Sequence, residues 1–468
     1  MNEQSIAAIL HRQREAFRAG PPNLAQRRET LKRLGHAVKA SAEELAQAVS
    51  ADFGHRSRHE TLMADIFPVI AAARHARFHL RRWMRARTVW PGLELAPSRA
   101  RIMAQPLGVV GVVSPWNYPV NLALTPLVAA LAAGDRVMLK PSELTPRTAE
   151  TLKEMLGGLF LEEEVAVVLG GPEVGAAFCA LPFDALLFTG STEVGRKVLA
   201  ATAETLTPAT LELGGKSPCV IAPGADLAQA AACIAVGKLL NAGQSCIAPD
   251  YVLLPAEIKP IFVKLFTETV NKLYPSLLDN ADYTSVISDA HYMRLTRMVE
   301  EARQSGAEIV VIDPANENPP PSSRKFAPTL ILDPSEDLCV MREEIFGPIL
   351  PALGYQTFDS ALDFVNARPR PLALYYFGPE DRNLRRLLAG AHAGGVTVNQ
   401  TMSHFVAENL PFGGVGPSGM GAYHGEAGFR AFSHAKPVLL QSRLDSRILL
   451  RPPYGKLTEA VLRFMLRG

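Results

Sequence analysis

The segment Leu107-Gly-Val-Val-Gly-Val-Val113, running straight into Ser114-Pro-Trp-Asn-Tyr-Pro119, decides the architecture of the chain. An unbroken apolar run this short, rich in valine, reads as a strand buried on both faces, the usual state of a strand in a parallel sheet. The loop after it is crowded with turn formers and aromatics, and 122–133 reads as a buried helix closed by Gly134-Asp135. Downstream the pattern alternates. Strands are predicted at 136–140, 165–169, 185–188 and 209–213. Helices are predicted between them, one opened by Thr145-Pro146 as N-cap and first-turn proline, the others over 172–180 and 193–205. Repeated βαβ units predict an α/β fold with a parallel, doubly wound, Rossmann-type sheet that binds its ligand at the carboxyl ends of the strands.

A second alternating set follows. Helices are expected at 228–240, 260–273 and 290–305, and strands at 251–254, 308–312, 329–332, 372–377 and 394–399. Upstream, the first ninety residues read as helices. They include a capping box at Ser41-Ala-Glu-Glu44 and a basic helix over 74–87. His75 and His79 have metal-ligand spacing but lack the glutamate of H-E-x-x-H, and they read as surface positions. A short strand is expected at Arg101-Ile-Met103, an exposed loop at 316–323, and a short amphipathic helix at 457–466. No solenoid repeat is visible.

Composition narrows the class. The chain has 468 residues and a net charge of +2, which gives no global pull toward nucleic acid or an anionic membrane. Its five cysteines, Cys179, Cys219, Cys233, Cys246 and Cys339, include no C-x-x-C pair, which points to a reducing compartment without disulfides or zinc. No leader-like segment and no apolar run of the ~18 residues needed to span a bilayer is found. The expected location is the cytoplasm.

Two stretches carry candidate chemistry. In Asn241-Ala-Gly-Gln-Ser-Cys246 a cysteine sits among small residues that leave its sulfur approachable. In Leu211-Glu-Leu-Gly-Gly-Lys216 an acid interrupts a strand-like run. Cys246 is a candidate nucleophile toward a carbonyl and Glu212 a candidate base for water; Cys246 also reads as one more buried filler cysteine. Asn117 reads as an oxyanion donor or as a turn residue. Lys140-Pro-Ser-Glu143 suits a ribose, or is an exposed ion pair. Glu343-Glu-Ile-Phe-Gly-Pro348 suits a ribose and a flat base, or places Phe346 in the core. Gly190-Ser-Thr-Glu-Val-Gly195 lies between a strand and a helix, where a pyrophosphate can be held. Gly414-Val-Gly-Pro-Ser-Gly419 matches G-x-G-x-x-G but lacks the surrounding βαβ unit and reads as a structural loop. Gly214-Gly-Lys-Ser217 lacks the first glycine of a P-loop, since Thr210 stands there.

Taken in order, Pro115-Trp-Asn-Tyr-Pro119, Lys140-Pro-Ser-Glu143, Phe188-Thr-Gly-Ser191, Leu211-Glu-Leu-Gly-Gly-Lys216, Gly243-Gln-Ser-Cys246, Glu344-Ile-Phe-Gly-Pro348 and Val398-Asn399 resemble the aldehyde dehydrogenase superfamily, over roughly 107–414. Pro249-Asp-Tyr251, His404-Phe405 and Gly419-Met-Gly-Ala-Tyr-His-Gly425 are similar to its class 3 branch, and 51–60 to bacterial members acting on coniferyl aldehyde. The resemblance implies a Cys246 nucleophile, an oxyanion site of Asn117 and the Cys246 N–H, and Glu212 as deacylating base. It implies cofactor contacts from Trp116, Lys140, Glu143, Gly190, Ser191, Gly195, Glu344 and Phe346. Glu143 favours NAD, and the branch tolerates NADP. Domains are expected at 1–97 plus 107–211 for NAD(P), 212–400 for catalysis, 98–106 plus 401–445 as a bridging segment that makes homodimers, and 446–468 as a tail too short and charged to anchor in a membrane. The expected substrate is an aromatic, coniferyl-type aldehyde, with Tyr118, Leu122, His404 and Phe405 lining its pocket. Rival readings are a fatty or general aromatic aldehyde dehydrogenase, a CoA-acylating relative, which Glu212 argues against, and a binding protein without catalysis.

Overall fold

A computed structural model describes residues 3–92, 95–443 and 451–466. Two parallel sheets form its frame. The first runs in the order Gly419–Met420, Ala209–Leu213, Ala185–Gly190, Val109–Val113, Arg136–Lys140, Val165–Val167, parallel except for its first strand. The second has seven strands, from Glu308–Val311 at one edge to Gly395–Val398 at the other, antiparallel only at Glu308–Val311. A third sheet, Arg87–Val89, Arg99–Pro106 and Ser433–Leu440, is antiparallel. The two large sheets confirm the expected α/β architecture.

Register brings the candidate residues to one edge. Val113 pairs with both Lys140 and Phe188, and Thr189 with Glu212. The Asn117 loop, Lys140, Gly190 and Glu212 therefore emerge at the same carboxyl end of the first sheet. Beneath them, all residues of the helix Asn121–Ala133 are buried, because the helices Leu24–Ala40 and Phe67–Trp83 cover the face turned away from the sheet.

Several local expectations change. The strand expected at 101–103 extends over Arg99–Pro106, because Ser433–Leu440, with no strong signal of its own, pairs along its whole length. Pro218–Ile221 and Ile349–Tyr355 are strands the pattern did not reveal; each contains a proline, which argues locally against a central strand. The basic helix ends at Trp83, and Arg87 already belongs to a strand. His75 and His79 are half-buried rather than exposed, their rings packed with Trp83. The capping box at Ser41 is absent: its side chain makes no cap bond, since one helix runs almost directly into the next. Thr145 does not cap by its side chain either. The carboxylate of Asp52 does so from the helix Ala42–Phe53, accepting from the N–H groups of Arg147 (3.0 Å) and Thr148 (2.9 Å) and from the Thr148 hydroxyl (2.7 Å). The tail helix is Lys456–Met465, while residues 444–450 and 467–468, parts of the expected bridging segment and tail, lie outside the described residues. Among the described residues no helix is long and apolar enough to cross a membrane.

The Asp52 cap gives a direct check. Asp52→Ala should lower stability by about 1 kcal/mol, the usual cost of losing a helix cap, read as a lower urea midpoint; an unmoved midpoint would show that the cap contributes nothing.

Candidate active site

The helix Leu227–Leu239 delivers the chain to Cys246 through a turn that most residues resist. Asn241 (φ 53°), Ala242 (φ 51°) and Gly243 (φ 73°) are consecutively left-handed. Holding a non-glycine residue there costs roughly 1–3 kcal/mol and persists only where the surroundings over-determine it. Here they do. The Asn241 N–H donates to Glu60 Oε2 (3.1 Å), and its side-chain amide donates to the carbonyls of Asn117 (3.0 Å) and Gln244 (3.2 Å). The Gln244 amide donates to Asn241 O (2.9 Å) and Ser285 O (3.1 Å), and its Oε1 accepts from Ile287 N–H (2.9 Å). Position 243 admits only glycine, since a Cβ would lie 2.4 Å from Gly347 O and 2.8 Å from Lys238 O.

The Asn117 loop is tied to the same turn. Asn117 Nδ2 donates to Gln244 O (3.2 Å), and Arg56 Nη1 donates to Asn117 O (2.8 Å). Arg56 Nη2 lies 3.0 Å from Asp65 Oδ2, with both side chains fully buried. The other oxygen of Asp65 accepts from Val120 N–H (3.1 Å) and Asn121 N–H (3.0 Å), at the start of the buried helix. The buried Glu60 completes the set by also accepting from Thr284 Oγ1 (2.7 Å). Arg56, Glu60 and Asp65 were not found by the sequence reading. The one available signal was Asp65 within Leu62-Met-Ala-Asp-Ile66, an acid in an apolar helical stretch.

Electrostatics at the site oppose ionisation. Burial, and then the charges of Glu344 and Glu212, push the half-buried Cys246 thiol upward. Burial raises Glu212 well above the ordinary carboxyl range, and neither of its oxygens has a hydrogen-bond partner among the described residues. Burial followed by the Asp250 charge lifts Glu344 to about 8, against the Gly215 N–H and Lys216. Burial therefore opposes ionisation of the thiol and of both acids, a bias that incoming charge or a new hydrogen-bond donor can relieve.

The expected cofactor residues converge on the same edge. Lys140 is buried, its ammonium donating to Pro141 O (3.0 Å) and Glu143 Oε2 (3.4 Å), while Glu143 remains partly exposed. Gly190 ends its strand, and Ser191 caps the helix Thr192–Thr205 through Val194 N–H (3.3 Å). Gly195 permits close helix–strand packing, because a Cβ would meet Leu213 at 2.6 Å. Phe346, left-handed at φ 51°, presents its ring edgewise to Trp116 at 5.3 Å, rather than entering the core. Its loop is clamped: Lys216 pairs with Asp250 and donates to Val340 O (2.8 Å) and Glu343 O (2.9 Å), and Arg294 donates to Glu344 O (3.2 Å). Buried Glu344 Oε1 and Thr189 Oγ1 lack partners. An acceptor and a hydroxyl left unsatisfied beside a helix N-terminus fit the ribose hydroxyls and pyrophosphate of a dinucleotide.

Below the thiol lies an apolar cavity of about 240 Å³, to which Cys246, Tyr118, Leu122, Phe405, Met63 and Met402 contribute. Met63 and Met402 were not anticipated. His404 is a correction: it does not line this cavity. Its Nδ1 shares a hydrogen with Thr397 Oγ1 (2.8 Å), and its ring stacks on Phe412. The G-x-G-x-x-G loop is structural, as expected, and its last glycine pairs with Glu212.

A parallel nucleotide-type sheet whose carboxyl edge meets a thiol and a buried acid fits a dinucleotide-using oxidoreductase. The aldehyde dehydrogenase family model matches residues 1–438, and the chain belongs to that family, whose members oxidise aldehydes to carboxylic acids with NAD(P). It is 50% identical over 455 residues to a probable coniferyl aldehyde dehydrogenase of Caulobacter vibrioides, covering 96% of this chain and 94% of that one. It is 48% identical over 469 residues to the coniferyl aldehyde dehydrogenase of Pseudomonas sp. strain HR199, covering 99% and 96%. The substrate-bound structure of Staphylococcus aureus AldH superposes with a TM-score of 0.92 at 35% identity, covering 98% of this chain and 99% of that one.

Two outcomes follow from the geometry. Arg56→Met leaves Asp65 a buried, unpaired acid; a loss of about 3–5 kcal/mol is expected, measured as a fall in Tm accompanied by reduced turnover. Burial holds His404 and His424 down to about 4 and about 3, against 6.5 when exposed, so both are neutral when folded. Between pH 6.5 and about 4 the unfolded chain thus binds more protons, and stability should fall as pH falls. In His424→Gln the decline of Tm over that window should be shallower than in the parent, because only His404 then remains; an equal decline would remove His424 from the effect.

Proposed function

We propose that Cys246 is the nucleophile, Asn117 and the Cys246 N–H the oxyanion site, and Glu212 the base that activates water for deacylation. One observation carries the reading: a thiol on an apolar cavity, with an unpartnered buried carboxyl beside it and an amide bonded to its own loop. Once its proton has passed to water, Sγ attacks the aldehyde carbon as the thiolate, and the oxyanion that forms is met by the Asn117 amide and the loop N–H. The bound nicotinamide supplies the hydride acceptor. The resulting thioester is cleaved by water whose proton passes to Glu212. Trp116, Lys140, Glu143, Gly190, Ser191, Gly195, Glu344 and Phe346 would hold the cofactor, and the Glu143 carboxylate would favour NAD by repelling a 2′-phosphate.

The preferred substrate is a coniferyl-type aromatic aldehyde. A cavity of about 240 Å³ walled by Tyr118 and Phe405 suits a flat ring carried on a short conjugated arm, and both curated relatives compared above bear that substrate in their names. A long-chain or general aromatic aldehyde is the second reading, favoured by the adaptable Met63 and Met402. The domain division read from the sequence is part of the same proposal. A homodimer is supported by the edge strands Ser433–Leu440 and Gly395–Val398, each paired on one side only among the described residues and able to extend a partner's sheet. Five free cysteines support a reducing, cytoplasmic setting.

Cys246→Ala should abolish aldehyde-dependent NADH formation, and substantial residual turnover would remove Cys246 from the mechanism. Glu212→Gln should release about one equivalent of NADH and then stall. Because Glu212 is raised by burial and must ionise to act, steady-state turnover in the parent should climb with pH through its pKa. Comparing kcat/KM for coniferyl aldehyde, benzaldehyde and a fatty aldehyde, each with NAD and NADP, decides the substrate; a preference for the fatty aldehyde would overturn the aromatic assignment.

A further inference from the structure

Phe405, which shares the apolar cavity with Cys246, belongs to a single helical turn, Ser403–Val406, none of whose residues is buried. So short an element does not fix a side chain by itself, and the place of the ring is set by what it rests on. Two rings meet it. Phe412 lies at 4.9 Å with its plane at 90°, and His424 at 4.8 Å with its plane at 69°. These supports are themselves tied down. Phe412 stacks on His424 at 5.3 Å and on His404 at 5.9 Å. His404 is held by the hydrogen bond between its Nδ1 and Thr397 Oγ1 (2.8 Å), on the strand Gly395–Val398. Two reciprocal backbone bonds of 2.8 Å lock Phe412 to Tyr423, whose ring stands edge-on to His424 at 4.6 Å.

His424 is the costly member of this platform. It is 3% exposed, neither ring nitrogen has a hydrogen-bond partner among the described residues, and its backbone is left-handed at φ 89°. A buried orphan and a strained backbone persist together only where the surroundings over-determine them. The ring contacts of this imidazole are with Phe405, Phe412 and Tyr423, so it serves as a flat plate and not through its nitrogens. We propose that His424 is a positioning residue for substrate specificity: with Phe412 it holds the Phe405 ring against the aldehyde cavity and so sets the width of the slot beside Cys246. The inference rests on the reading that this cavity receives the aldehyde. Two supports at different tilts leave the ring one orientation. Without His424 the Phe405 ring rocks back into the vacated space, and a flat aromatic aldehyde loses its wall. A three-carbon aldehyde reaches the sulfur without needing that wall.

Steady-state kcat and KM for coniferyl aldehyde and for propanal, each with NAD, test this in the parent, His424→Ala, His424→Phe, Phe405→Ala and the double variant His424→Ala/Phe405→Ala. His424→Ala should raise KM for coniferyl aldehyde about three- to tenfold, the size of one lost aromatic pair, with kcat and both propanal constants held within about twofold. His424→Phe, which keeps a flat ring, should restore the parent KM. Added to Phe405→Ala, His424→Ala should cost nothing further, because residues acting through one another are not additive. Equal losses for both aldehydes together with a lowered Tm mark a purely structural role and overturn the proposal. Additive effects in the double variant, or no rescue by His424→Phe, overturn it as well. Phe405→Ala separates the two readings. If it raises KM for coniferyl aldehyde while His424→Ala does not, only the role of His424 falls. If Phe405→Ala leaves that KM unchanged, the cavity is not where the aldehyde binds.

Discussion

The buried pair of Arg56 and Asp65 is the contact on which the site depends. Arg56 reaches the carbonyl of Asn117, and Asp65 holds the first amides of the helix that follows the Asn117 loop. Asn117 is bonded in turn to the strained turn ahead of Cys246. An ion pair removed from water gains little net stability by itself, but breaking it strands a charge in the interior. Its value here is geometric. It fixes the Asn117 loop of the first sheet, and Asn117 then joins that loop to the turn ahead of Cys246 with directional bonds where apolar packing would tolerate sliding.

Strain and its restraint are placed together. Asn241 and Ala242 are held left-handed directly ahead of the thiol, and Glu60, Gln244 and the Asn117 carbonyl hold them there. A relaxed turn would move the sulfur relative to its neighbours. The same dry surroundings that make these bonds strong also push Cys246, Glu212 and Glu344 toward their neutral forms. Activation of the site requires groups that arrive with the reaction, such as a charged ring, an oxyanion or an ordered water.

Legibility varied with how local the cause was. The strands 109–113, 136–140 and 185–190 were readable because they are continuous apolar runs bounded by turns. Pro218–Ile221 and Ile349–Tyr355 were not, since their prolines speak against strands and only burial between neighbours overrides them. The caps at Ser41 and Thr145 looked right by residue type, but Asp52, distant in sequence, took the second position. His404 looked like a pocket residue by its neighbour Phe405, yet adjacent residues on one turn point different ways, and Thr397 holds the imidazole aside.

By itself the sequence determined the alternation of strands and helices in the first sheet and, through motifs in a recognisable succession, the acid, amide and thiol of the candidate site. Those properties are written in short stretches whose chemistry is complete within a few residues. Only the tertiary structure decided that Arg56, Glu60 and Asp65 support the site and that Met63 and Met402 shape the cavity. Each of these depends on which distant segments share the interior, and a buried polar group acquires its meaning only from the partner that folding places, or leaves out, beside it.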